Sequence, residues 1–335
     1  MLKKAGFILG GLLLVGGLVA LWRNETVPPD VQPKPSVAVE PELEPVAVGD
    51  PGKSESSGVT ATEIAARITR STAVTEPKNV DNAQLRLVIR EILTGDNYND
   101  RLRTIKNDMP AQLDEEEYRA LEAYLLTPQD GKDGDFRQHE YALRNYMMDA
   151  LRGEKDRLGE TINAFTDVYQ NPEQGEVMRN YALQHLSSVY IDNVSGLSTT
   201  DKSQIIAVFT KALDDHSAES LAGTALIGLQ DASRWDAKTV APSSVGNAAM
   251  TFLRDENSGD LSKISAFQVS GELKLNSAGP YAREVAFDSN ADWMLRMSAV
   301  YALGQLGKTT GLETLLTDPN KHISRAVRMA LNIKR

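Results

Sequence analysis

A short tract built around Ala-Leu recurs along this chain and limits what it can fold into. It reads YALRNY at Tyr141–Tyr146, YALQHL at Tyr181–Leu186, TALIGL at Thr224–Leu229 and YALGQL at Tyr301–Leu306, with a shortened copy, MALNI, at Met329–Ile333. Its alanines stand at 142, 182, 225, 302 and 330. The first two intervals are about 40 and 43 residues, the length of a unit made of two helices and their turns. The interval from 225 to 302 leaves room for one further copy, and ISAFQVSGEL at Ile264–Leu273 is the candidate for it. The last interval, about 28 residues, predicts a final unit with a short first helix. A unit of this size cannot cover its own apolar stripe, whereas a stack of them can.

Each tract has a packing reason. Ala142, Ala182, Ala225, Ala302 and Ala330 are small enough to let their helices approach a neighbour. Leu143, Leu183, Leu226, Leu303 and Leu331, with the apolar residue three positions on, fall on one helical face and fill the core. The stretches between the tracts supply partner helices. Ile205, Val208, Phe209 and Leu213 form one stripe in Asp201–Leu213, and Ile162, Phe165 and Tyr169 another in Leu158–Tyr169. Upstream, Leu85, Val88, Ile89 and Ile92 share a face, and the acidic start of Asp114–Leu126 suits a helix N-terminus. Thr60/Glu63, Asp114/Glu117 and Thr310/Glu313 have capping-box spacing. Pro110, Pro128, Gly131, Pro172, Gly196 and Pro319 separate the periodic segments, and no alternating strand pair is present. The expected class is all-α, a solenoid of stacked helix pairs.

Asp292–Gly307, DWMLRMSAVYALGQLG, resembles the second helix of the HEAT-like repeat family, D-x-x-L-R-x-x-A-V-x-A-L-G-x-L-G. The resemblance covers residues 136–335 by period and one repeat strongly. It implies a HEAT-like α-solenoid in which Asp and Arg of successive repeats form a ladder, at Asp292 and Arg296. Asn320 and Ser324, then Asp215 and Glu219, stand at those places in other copies. Residues 60–135 read as a cap or divergent early repeats.

The N-terminal 59 residues read differently. Residues 5–22 carry no charge and reach the length of a membrane-spanning helix, about 18 to 20 residues. Lys3 and Lys4 precede them, Trp22 suits the far interface, and an acidic stretch follows. Residues 1–23 are therefore expected to be a signal anchor with the N-terminus cytoplasmic. The repeat domain then lies on the periplasmic or other extracytoplasmic side of a bacterial inner membrane. Cleavage as a signal peptide is the competing reading; the apolar run is longer than a signal core, and the region before Trp22 lacks an A-x-A site. Residues 24–59, with Pro at 28, 29, 33, 35, 41, 45 and 51, are expected to be a disordered, extended linker ahead of the helical domain at 60–335.

Composition removes several functions. The chain of 335 residues has no Cys, so it has no disulfide, no Cys-ligated metal and no Cys nucleophile. Its net charge of −10 argues against a nucleic-acid binder. The histidines, His139, His185, His216 and His322, belong to no metal or hydrolase motif. Asp130–Asp135, DGKDGD, departs from calcium-loop spacing, and Glu115–Glu117 reads as a solvated helix start. No catalytic, cofactor or metal residue is expected. Tyr141, Tyr181 and Tyr301 recur with the repeats, as core residues or as anchors for a partner. The expected function is a membrane-tethered, non-catalytic scaffold for a protein or peptide partner. The alternatives are an accessory subunit of an envelope enzyme complex and an α-helical hydrolase with paired carboxylates.

Overall fold

A computed structural model describes residues 85–128, 134–215 and 218–333, with side chains from residue 138 in the first turn of the long fourth helix. They belong to one compact unit, Ala73–Arg335. The expected anchor and linker, the Thr60/Glu63 pair, residues 130–133 and His216 lie outside the described residues. None of the described helices is long and apolar enough to cross a membrane.

The described residues are helical throughout, with no strand among them. In chain order the helices are α1 (Leu87–Thr94), α2 (Tyr98–Asn107), α3 (Glu115–Leu126), α4 (Gly134–Gly153), α5 (Leu158–Gln170), α6 (Gly175–Asp192) and α7 (Thr199–Leu213). There follow α8 (Glu219–Trp235), α9 (Pro242–Arg254), α10 (Asp260–Glu272), α11 (Gly279–Phe287), α12 (Trp293–Gln305), a 3-10 turn (Leu312–Thr317) and α13 (Lys321–Ala330). Local chemistry fixes several starts. Asp114 and Glu117 close a capping box on α3, and Ser198 and Asp201 close another on α7. Asp292 caps α12 by accepting from the Met294 and Leu295 amides. The Thr310/Glu313 pair makes no such box; Gly311, in the left-handed region at φ 83°, begins the 3-10 turn instead.

The helices pair in sequence: α1 with α2, α3 with α4, α5 with α6, α7 with α8, α9 with α10, α11 with α12, and the 3-10 turn with α13. Every second helix also packs on the second helix of the following pair, in an unbroken row from α2 to α13. The first helices meet their successors from α1 to α7. This is an α-solenoid. Ile264–Leu273 falls in α10, which packs between α8 and α12, and the last pair has only a six-residue 3-10 turn as its first element. Residues 85–128 continue the same order, with α1 against α3 and α2 against α4.

The core lies between the two rows. Leu143, Ala182, Leu183, Ala225, Leu226, Ala302 and Leu303 are buried there with Phe165, Phe209, Phe267 and Ile323. Ala142, Ala330 and Leu331 are half-buried, because Ala142 lies at the edge of α4 and the last two stand where the stack ends. Small residues decide how closely the second helices approach. A Cβ added at Gly304 of α12 would lie 2.8 Å from the Ala330 Cβ and 3.0 Å from its Cα in α13. One added at Gly223 of α8 would lie 3.1 Å from the Leu261 carbonyl oxygen and 3.3 Å from the Ser262 Cα in α10. Gly304→Val must therefore push α13 from α12 and is expected to cost about 1–3 kcal/mol, read by urea unfolding at constant m-value. An unchanged midpoint would contradict the close approach.

Candidate partner-binding face

Four second helices carry an arginine with one recurring job. Arg101 in α2 donates through Nε to the Ile92 carbonyl (2.7 Å) at the end of α1, and onward to the Tyr124 hydroxyl of α3 (2.8 Å). Arg144 in α4 donates to the Leu125 (3.2 Å) and Thr127 (2.6 Å) carbonyls at the end of α3, and to Gln174 Oε1 (3.2 Å) just before α6. Arg179 in α6 donates to the Tyr169 carbonyl of α5 (2.7 Å) and to the Asp215 carboxylate ahead of α8. Arg296 in α12 donates to the Ala286 carbonyl of α11 (3.3 Å) and to Asp318 Oδ2 (2.6 Å) ahead of α13. Each guanidinium satisfies carbonyls that a helix end leaves open, then reaches into the next pair.

The ladder implied by the family resemblance thus takes another form. Asp292 is spent on its own helix start, and the acid that Arg296 meets is Asp318 of the following turn. Arg101, Arg144 and Arg179 were not singled out by the sequence reading. Their signal is an arginine in a second helix that reaches beyond its own pair, to α3 for Arg101 and to the turn ahead of the next second helix for Arg144 and Arg179.

A polar seam crosses the second-helix row. Tyr141, Asn145, Asp149 and Arg152, all half-buried, form one stripe of α4 at helical spacing. Asn145 Oδ1 meets His185 Nε2 of α6 at 3.0 Å, and Arg152 reaches Asp192 of α6 at 3.2 Å. Asn180 of α6 accepts from Thr224 of α8 at 2.6 Å, and Ser187 donates to Asp231 of α8 at 3.2 Å. Arg234 of α8 pairs with Glu272 of α10. Burial pushes the Asp149 carboxyl above its usual range, with Arg152 pulling it back. Asp231 is raised first by burial, against the pull of Arg234 and the Ser187 hydrogen bond, with a further upward push from Glu272.

The three recurring tyrosines are half-buried and do not form one cluster. Tyr141 and Tyr181 lie on adjacent helices α4 and α6: burial, then the neighbouring Tyr141, raises the Tyr181 hydroxyl. Tyr301 lies on α12, with α8 and α10 between it and that pair. Its hydroxyl is raised by burial and lowered by the Arg325 charge, and it donates to Met329 Sδ of α13 at 3.6 Å.

The described histidines each lie against an aromatic ring: His139 on Tyr98, His185 by Phe165 and His322 on Trp293, at centroid distances of 4.6, 5.5 and 4.7 Å. No three His, Asp or Glu side chains converge as a metal site among the described residues. No family model matches the chain, and no curated protein matches it in sequence. Among solved structures it is similar to a Kap121p mutant (12% identity, TM-score 0.47, covering 82% of this chain and 27% of that one). It is also similar to human deoxyhypusine hydroxylase with glycerol (14% identity, TM-score 0.30, covering 80% and 98%). An engineered protein matches at 14% identity and TM-score 0.35, covering 73% and 66%. The chain spans about a quarter of the Kap121p structure, 27% of its length. The repeat architecture rests on the helix packing itself.

His185 gives this face a pH signature. Burial, then the Arg152 charge, lowers its pKa from 6.5 to about 3, and Nδ1 has no hydrogen-bond partner. Between those values the unfolded chain binds a proton that the folded chain does not, so this group's contribution to stability falls as pH falls through 6.5. At pH 5 the loss is about 2 kcal/mol relative to neutral pH. Urea unfolding at pH 7 and pH 5 is expected to show a smaller drop for His185→Gln than for the wild type. Equal drops would place the imidazole in water.

Proposed function

We propose that this chain is a membrane-tethered, non-catalytic scaffold whose HEAT-like repeat domain lies outside the cytoplasm and binds a protein or peptide partner along its second helices. The observation that carries the reading is the unbroken second-helix row from α2 to α13, crossed by a polar seam and bearing half-buried tyrosines. An extended surface of this kind suits an extended partner. The uncharged residues 5–22, behind Lys3 and Lys4, support the tether and its orientation across a bacterial inner membrane. The side chains on the seam bond to one another across successive repeats, an arrangement that suits a rigid support better than a reacting centre.

The test uses the full-length protein in its own membrane. It is expected to resist carbonate extraction, yield to detergent, expose its repeat domain to protease added from the extracytoplasmic side, and retain a partner through purification. Release by carbonate would remove the tether. Recovery of no partner, together with hydrolytic turnover by the pure protein, would replace the scaffold reading with an enzymatic one.

A further inference from the structure

Helix α13 and the residues that follow it differ in charge from the rest of the chain. The whole protein carries −10, yet residues 321–335 contain Lys321, Arg325, Arg328, Lys334 and Arg335 and no acidic side chain. Helix α13 buries Ile323, Ala326 and Val327 and leaves Lys321, His322, Arg325, Arg328 and Met329 exposed.

His322, Arg325 and Met329 share one stripe of α13, at spacings of three and four residues. That stripe borders α12 side chain by side chain. The His322 ring lies tilted on Trp293 at 4.7 Å, Tyr301 donates to Met329 Sδ, and the Arg325 charge acts on Tyr301. Trp293 and Met329 remain 37% and 50% exposed, so large apolar groups stay in water around one guanidinium. Trp, Tyr, Met and Arg are the residue types enriched where proteins meet.

The acids that begin α12 and precede α13 are engaged elsewhere. Asp292 is held by the Met294 and Leu295 amides, and Asp318 by Arg296 and the Asn320 amide. Arg325 has no ion pair among the described residues. The polar seam upstream carries Asp149, Asp192, Asp231 and Glu272, and its arginines, Arg152 and Arg234, are already paired with three of these acids. A carboxylate-bearing segment finds an unengaged guanidinium here and only engaged ones there.

We propose that the α12–α13 face formed by Trp293, Tyr301, His322, Arg325 and Met329 docks an acidic peptide segment of the partner protein. Arg325 takes a carboxylate, and the rings and thioether take the apolar side chains next to it. This rests on the scaffold reading above and adds the partner's chemistry and its place of contact.

The test places a photo-crosslinking benzoylphenylalanine at Tyr301, at Met329 or, for comparison, at Tyr181 of the full-length protein in its source cells, with the crosslinked peptide sequenced by mass spectrometry. Crosslinks from 301 and 329 are expected to one segment rich in Asp and Glu. Their yield is expected to fall at least tenfold in Arg325→Glu and to survive Arg325→Lys, with the melting curve of each variant recorded to confirm folding. A neutral or basic segment, a lipid adduct, or an undiminished yield in folded Arg325→Glu would overturn the proposal. Crosslinks at 181 alone would overturn it while leaving the scaffold reading standing. Crosslinks at none of the three positions would overturn both.

Discussion

The stack depends on a buried guanidinium at the joint of a helix pair. The ends of α1, α3, α5 and α11 leave carbonyls that must find donors. Arg101, Arg144, Arg179 and Arg296 supply them from the second helix of the same pair and then extend to the next one. A charge so placed is tolerated only when its donors are used, and its planar fork fixes direction as well as distance. One side chain thereby bonds both within its own pair and to the next. Helices α8 and α10 lack such an arginine; there Gly223 lets the backbones approach directly, and Ser262 donates to the Glu219 carbonyl at 3.0 Å.

The repeat was legible because its physical cause is local. Small and apolar residues at helical spacing had to recur wherever a second helix packed on another, and Ile264–Leu273 could be placed in the stack on that ground. The short final unit followed from the interval between Ala302 and Ala330. The arginines were hidden by the same regularity. Arg144 lies two positions after Ala142, Arg179 three before Ala182 and Arg296 six before Ala302. An apolar stripe that repeats every three or four residues lets a tract slide by about a turn and still fit, so the Ala-Leu register did not align them. Their partners lie 22 to 36 positions onward in turns, a relation that local periodicity does not express. The first helix pair and α3 were obscured because α1 to α3 keep the packing without the tract.

The tyrosines show where pattern stops and packing begins. Tyr141, Tyr181 and Tyr301 look equivalent in the sequence, yet the first two lie on the neighbouring helices α4 and α6 while the third lies beside Met329 and within reach of the Arg325 charge. The surrounding charge differs accordingly. Paired carboxylates and arginines line the middle of the second-helix row, and cations without ion pairs among the described residues gather at its last helix. A single scaffold built from similar units can in this way present unlike surfaces along its length, because the residues that hold the units together are not those that face outward.

A double-mutant cycle on Arg296 and Asp318 tests the central claim most directly. The side chains are 9% and 7% exposed and 2.6 Å apart, so the pair is not an ordinary surface bridge. Urea unfolding of Arg296→Met, Asp318→Asn and the double variant should give a favourable coupling of at least about 1 kcal/mol. Additivity within about 0.3 kcal/mol would show that the guanidinium does not join one helix pair to the next.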